Sequence, residues 1–266
     1  MFEKFSLEGK VAVVTGGGTG IGKAIALNMA KVGANIVVAA RRLTPLEETK
    51  AEIEDIGRNA MAIQTDVTNS EQVNNLMEET ASEFGRLDIL VNSAGAIKEF
   101  FNISLLEMTD EQWRRGLDSE LTGTFYCSRA ASKLLMKQHS GKIINMSSLS
   151  GMVGLTTTAV YGVAKAGIIE LTKLFAMALA RHGVQVNCIA GGPILTPTIG
   201  GQKESMSMGR FIPVGYPDKP EGIAALAVYL ASEASSYVTG ATYIIDGGIM
   251  AGRYAPLGYA PYIPMK

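Results

Sequence analysis

Short apolar runs rich in β-branched residues recur along the chain, each followed by a longer stretch with apolar positions at helical spacing. The runs VAVVT (11–15), NIVVAA (35–40), AMAIQT (60–65), LDILVN (87–92), GKIINM (141–146), VQVNCIA (184–190) and ATYIID (241–246) predict strands. The stretches between them predict helices over 20–32, 45–57, 69–84, 109–138, 159–182 and 220–232. Thr109, followed by Asp110 and Glu111, and Asn69 both suit the opening of a helix. Strand–helix alternation of this kind predicts an α/β fold, a doubly wound parallel seven-stranded sheet with helices on both faces. No linker or low-complexity stretch interrupts the pattern before residue 250, so residues 1–250 read as one domain and 251–266 as a C-terminal tail.

Composition narrows the class without changing that picture. A hydrophobic content of 47% with 18% charged residues describes a globular protein with a large core. The net charge of −1 gives no electrostatic reason to expect a nucleic-acid partner, and no Lys/Arg run stands out. No stretch reaches the ~18 apolar residues of a membrane span, and MFEKFSLEGK lacks the apolar core of a secretion signal. Cys127 and Cys188 are too few for a disulfide framework, and no His or Cys sits at metal-ligand spacing. A cytoplasmic protein without a metal site is expected.

Two local patterns carry chemistry. VVTGGGTGIG (13–22) packs five glycines after the first strand, where ligands gather in such a sheet. Gly16, Gly20 and Gly22 stand where the strand ends and a helix begins, leaving amides and the helix dipole free for an anion. Their G-x-x-x-G-x-G spacing differs from the G-x-G-x-x-G fingerprint. Downstream, YGVAK places Tyr161 and Lys165 one helical turn apart, and Ser148 lies 13 residues before the tyrosine. An ammonium beside a phenol favours the phenolate and brings a poor acid–base group toward working range. A serine hydroxyl can then hold a substrate oxygen while the phenol exchanges its proton.

These pieces, with Asp66–Val67, NSAG (92–95), the Asn187 region with Pro193 and Thr196, and DGG (246–248), resemble the short-chain dehydrogenase/reductase family over residues 7–248. The resemblance implies a Rossmann fold and hydride exchange between a nicotinamide cofactor and a carbonyl or secondary alcohol. It implies a catalytic set of Ser148, Tyr161 and Lys165, with Lys165 also holding the nicotinamide ribose. It further implies a cofactor lining of Gly16, Gly18, Thr19, Gly20, Ile21, Gly22, Asp66, Val67, Asn92, Ala94, Gly95, Pro193, Ile194 and Thr196, besides Tyr161 and Lys165 themselves. Asp66 and Val67 would meet adenine, Asn92 and Ala94 would line the channel, and Thr196 would lie near the carboxamide. Three positions depart from the pattern: Ser93 replaces the second Asn of NNAG, Gly191 replaces a Pro, and Glu120 stands at the usual catalytic Asn. In the family that Asn acts largely through its main-chain carbonyl. A carboxylate about 6 Å from Lys165 would hold it protonated and oppose ionisation of Tyr161.

The second strand ends in AARR, so Ala40 occupies the position of the acid that binds ribose hydroxyls, and Arg41 and Arg42 follow. That favours NADP(H), with Arg41 as the main phosphate partner and NAD(H) as a possible substitute. Substrate contacts are expected from Leu149, Met152, Val153 and Leu155, and from Met206, Met208 and Phe211 of a loop over 194–216 whose glycines and methionines suit a lid. The substrate is then a small carbonyl or alcohol of ketone, sugar or polyol type. A 3-oxoacyl thioester is the alternative, and a non-catalytic dinucleotide sensor or scaffold the alternative of another class. The helix over 159–182 is apolar on more than one face, which predicts a homo-oligomer, dimer or homotetramer. The tail GRYAPLGYAPYIPMK is expected to pack on a neighbouring subunit.

Overall fold

The computed structural model describes residues 2–95, 102–156, 158–196, 209 and 211–252. Seven strands form one sheet: β1 (Val11–Thr15), β2 (Asn35–Ala40), β3 (Ala60–Gln64), β4 (Ile89–Asn92), β5 (Gly141–Ser148), β6 (Val184–Gly191) and β7 (Thr242–Ile245). All pairings are parallel, in the order β3-β2-β1-β4-β5-β6-β7. The helices are α1 (Gly20–Lys31), α2 (Leu43–Asp55), α3 (Ser70–Phe84), α4 (Asp110–Leu117), α5 (Gly123–Gln138), α6 (Ala159–Leu179) and α7 (Pro220–Ala231).

Alternate residues of each strand feed two cores, because successive side chains point to opposite faces. Ala12 and Val14 of β1 pack with Ile25 and Met29 of α1, Leu46 of α2 and Ile223 of α7. Val13, between them, belongs to the opposite core with Leu76 of α3, Leu135 of α5 and Leu179 of α6. Buried on both sides, the strands require apolar residues throughout, which is why they read as continuous runs. Strand order reverses between β1 and β4, and a crevice opens above their carboxyl ends.

Two helix assignments need correction. α2 begins at Leu43 rather than at 45, because Pro45 falls within the first turn, where its missing N–H has no partner to lose. The helix expected over 109–138 is α4 and α5 joined by a π-helical turn, Asp118–Thr122. The turn adds one residue to the winding and is followed by Thr124, whose hydroxyl donates to the Glu120 carbonyl at 2.9 Å. Thr109 and Gln112 close a reciprocal cap at the start of α4, and Asn69 caps α3, both as the sequence indicates. Strand β5 runs on to Ser148 because it stays paired with β6 to the end, Ser148 opposite Gly191. No helix among the described residues is long and apolar enough to cross a membrane.

Candidate active site

A single cavity of about 1020 Å³ lies over the crevice, at the upper end of the ~300–1,000 Å³ common for small-molecule sites. One end is the turn between β1 and α1. Gly16 there has φ +69°, in the left-handed region, and donates its N–H to the Ala39 carbonyl. A Cβ on Gly22 would strike the Gly16 carbonyl, so only glycine lets the helix start this close to the strand end. Thr19 precedes α1 without capping it through its side chain, so the first-turn amides face the cavity with no side-chain acceptor of their own. Such an arrangement could hold an anion, and its donors suit the pyrophosphate of a dinucleotide. At the same end, Arg41 and Arg42 are exposed on the cavity wall beside Ala40. Helix α2 starts at this point with no acidic residue in its first turn and no side-chain cap, adding a second positive helix end.

The other end of the cavity holds Ser148, Tyr161, Lys165 and Glu120. Ser148 ends β5, and its hydroxyl accepts the Ser150 N–H at 3.2 Å. Tyr161 and Lys165 sit on α6, with the lysine Nζ 5.3 Å from the tyrosine ring centroid. Lys165 is buried; its ammonium donates to the Met146 carbonyl at 2.9 Å and meets Glu120 Oε2 at 3.0 Å. The glutamate is therefore in direct contact with the lysine rather than about 6 Å away, and it is buried too. Gly95 makes room for it, since a Cβ there would lie 2.7 Å from both carboxylate oxygens. Burial pushes the Tyr161 phenol above its ordinary value, Lys165 pulls it down, Glu120 pushes it up and Ser148 pulls it down, with a net rise. For Lys165, burial pulls downward but Glu120 and Tyr161 outweigh it, so the ammonium is held above the ordinary lysine value.

Between the two ends the wall carries Gly18, Gly20, Ile21, Asp66, Val67, Ala94, Pro193, Ile194 and Thr196, all named from the sequence. Thr15 anchors the loop after β4 by accepting the N–H groups of Ser93 and Ala94 at 3.1 and 3.2 Å. Asn92 departs from expectation. It lies beneath the cavity floor rather than lining it, donating to Ser128 Oγ at 3.0 Å and Asn145 Oδ1 at 2.8 Å. Leu149, Val153 and Leu155 line the substrate end, but Met152 is exposed outside that wall, and so is Phe211. Met206 and Met208 lie outside the described residues, as do most of the expected lid and the tail beyond 252. Sequence reasoning missed Ser119, Thr158, Ile249 and Met250 as wall residues. The last two arrive through Asp246, whose carboxylate accepts the N–H groups of Gly248 and Met250 at 2.8 and 2.6 Å and folds the chain back over the cavity. The DGG stretch carried that signal.

Known proteins of similar fold and related sequence show the family. Residues 16–250 match a family model described as enoyl-(acyl carrier protein) reductase. The chain is 41% identical over 247 residues to a 3-oxoacyl-[acyl-carrier-protein] reductase of Synechocystis sp., covering 92% of this chain and 98% of that one. It is 36% identical over 244 residues to a cis-4-hydroxycyclohexanecarboxylate dehydrogenase of Sinomonas cyclohexanicum, covering 91% and 97%. Among solved structures, a short-chain type dehydrogenase/reductase from Mycobacterium marinum superposes with a TM-score of 0.88 at 36% identity, over 93% of this chain and 98% of that one.

Proposed function

The chain belongs to the short-chain dehydrogenase/reductase family, and from that premise we propose that it is an NADP(H)-preferring enzyme interconverting a ketone and a secondary alcohol. It is an oxidoreductase acting on alcohol or ketone groups. The observation that carries the finer reading is the shared cavity: a glycine cradle and two arginines at one end, Ser148, Tyr161 and Lys165 at the other.

A bound nicotinamide supplies or accepts the hydride. The chain's own residues handle the oxygen and the proton. Ser148 donates a hydrogen bond to the substrate oxygen as charge develops on it, and Tyr161 transfers its phenolic proton to that oxygen in reduction or receives it in oxidation. Lys165 stabilises the ionised phenol by its charge and presents a donor toward the cofactor ribose. The apolar wall of Leu149, Val153 and Leu155 excludes water from the reacting carbonyl.

The cofactor preference rests on Ala40, Arg41 and Arg42. An acid at the end of β2 would repel a 2′-phosphate, and here two guanidinium groups and the uncapped start of α2 face the cavity instead. A charge-assisted contact contributes about 1.5–3 kcal/mol, so Arg41→Ala is expected to weaken NADPH roughly 10- to 100-fold while leaving NADH nearly unchanged. Titration of both cofactors by protein fluorescence checks it, and a wild-type protein that prefers NADH would overturn the assignment.

A panel of ketones, sugars, polyols and 3-oxoacyl thioesters, followed by nicotinamide absorbance with each cofactor, tests the activity. The 3-oxoacyl thioester is the second reading, supported by the 41% identity to the cyanobacterial reductase. No turnover on any member would leave the dinucleotide sensor as the better description. The reading includes a cytoplasmic dimer or homotetramer. Leu174 and Met177, 60% and 82% exposed on α6, support association of that helix with another copy.

A further inference from the structure

Glu120 is the feature of the site that the proposed chemistry does not need. It projects from the π-helical turn, buried, with one oxygen 3.0 Å from the Lys165 ammonium. The absence of a side chain at Gly95 leaves the space its carboxylate fills. Lys165 spends two donors behind the site, one on Glu120 and one on the Met146 carbonyl at 2.9 Å. Tyr161 therefore faces a closed ion pair where a lone cation would otherwise stand.

We propose that Glu120 is a positioning residue that sets the proton affinity of Tyr161: it fixes the Lys165 ammonium, offsets that ammonium's pull on the phenol, and keeps the phenol a proton donor into the alkaline range. The proposal rests on the assignment of Tyr161 as the acid–base group.

Among the described residues, the groups around the phenol leave this pair as its charged neighbours. On α6 the charged neighbour is Lys165 itself. From β5 come the Ser148 hydroxyl and the Met146 carbonyl, both uncharged. From β6 comes Cys188, which acts on Lys165 rather than on the phenol and whose thiol burial pushes up to about 11, so it is neutral at working pH. The loop after β4 contributes Ala94 and Gly95, and the π turn contributes Ser119 and Glu120. Asp66, Arg41 and Arg42 belong to the cofactor side of the cavity. Among the described residues, Glu120 is thus the anion that acts on Tyr161, and its effect on the phenol is upward.

The sign follows directly. Reduction needs the protonated phenol and declines as pH rises through its ionisation; oxidation needs the phenolate and rises through the same point. A catalyst leaves the overall equilibrium unchanged, so removing the charge must carry both limbs to lower pH together.

The test is a pH-jump titration of the near-ultraviolet phenolate band, in which the Tyr161→Phe protein is subtracted to isolate one tyrosine. In the wild type, Tyr161 is expected to ionise above the ~10 of an ordinary phenol, and in Glu120→Gln about one pH unit lower. Glu120→Asp, which keeps the charge, should restore the wild-type midpoint. The midpoints of the reductive and oxidative pH–rate profiles should move by the same amount and in the same direction. An unchanged midpoint in Glu120→Gln, a shift upward, or a wild-type midpoint below that of an ordinary phenol would each overturn the proposal. The titration needs no turnover, so a protein inert toward every carbonyl would sink the catalytic reading alone. Turnover with superimposable titrations would sink this one alone.

Discussion

Tyr161→Phe is expected to lower kcat by about 10³- to 10⁴-fold while NADPH binding stays within about twofold. General acid–base catalysis by a placed side chain typically contributes 10²- to 10⁴-fold, and the upper end applies where no second acid can protonate the substrate oxygen. Ser148 can hydrogen-bond that oxygen but cannot take over as its acid, because an aliphatic hydroxyl is a far weaker acid than a phenol. Lys165 cannot either: it is turned toward Glu120 and the Met146 carbonyl. Phenylalanine keeps the ring that lies against the lysine and removes only the hydroxyl, so packing and the cofactor end of the cavity are left alone. Single-turnover rates with saturating NADPH, beside a binding titration, separate the two effects. Activity within tenfold of wild type would remove Tyr161 from the mechanism.

What the sequence made legible follows physical lines. The strands were readable because each is buried on both faces and must be apolar throughout, as VAVVT and NIVVAA are. The cradle was readable because Gly16 and Gly22 hold positions that no side chain can take. Ser148, Tyr161 and Lys165 were readable as a set because their chemistry makes sense only together, and β5 and α6 do bring them to one cavity. The π turn was not readable: one extra residue in a helix leaves the apolar spacing of the flanking turns almost unchanged. That turn carries Glu120, whose carboxylate meets Lys165. Asn92 shows a second limit, since a residue at a strand end can face the crevice or the core beneath it, and its partners Ser128 and Asn145 are distant in sequence. Ile249 and Met250 illustrate a third, because a turn folded by one aspartate decides whether they reach the cavity.

The burial of the Glu120–Lys165 pair makes the lysine a stability residue as well as a site residue. Lys165→Met is expected to destabilise the protein by about 3–5 kcal/mol, because it takes the ammonium away from a carboxylate that is almost wholly inaccessible to water. For a chain of this size that is a fall in Tm on the order of 10 °C. Since the lysine is held above its ordinary value, its charge is fully present at neutral pH, and on the alkaline side the pair is lost only as pH rises through the folded-state lysine value. The loss should therefore be complete at neutral pH. Adding Glu120→Gln to Lys165→Met removes the buried negative charge along with its lysine partner, and the double variant should recover most of the stability while remaining as inactive as the single one. The two substitutions must then be strongly non-additive in melting, as contacting residues are. Calorimetric or dichroic melting of the four proteins in the cycle checks this. If Lys165→Met melts within 2 °C of wild type at neutral pH, or the second substitution restores nothing, the contact is not an ion pair that the fold depends on. Recovery of stability without recovery of turnover would instead separate the two duties of Lys165: neutralising Glu120 for the fold, and presenting a cation to Tyr161 for the reaction.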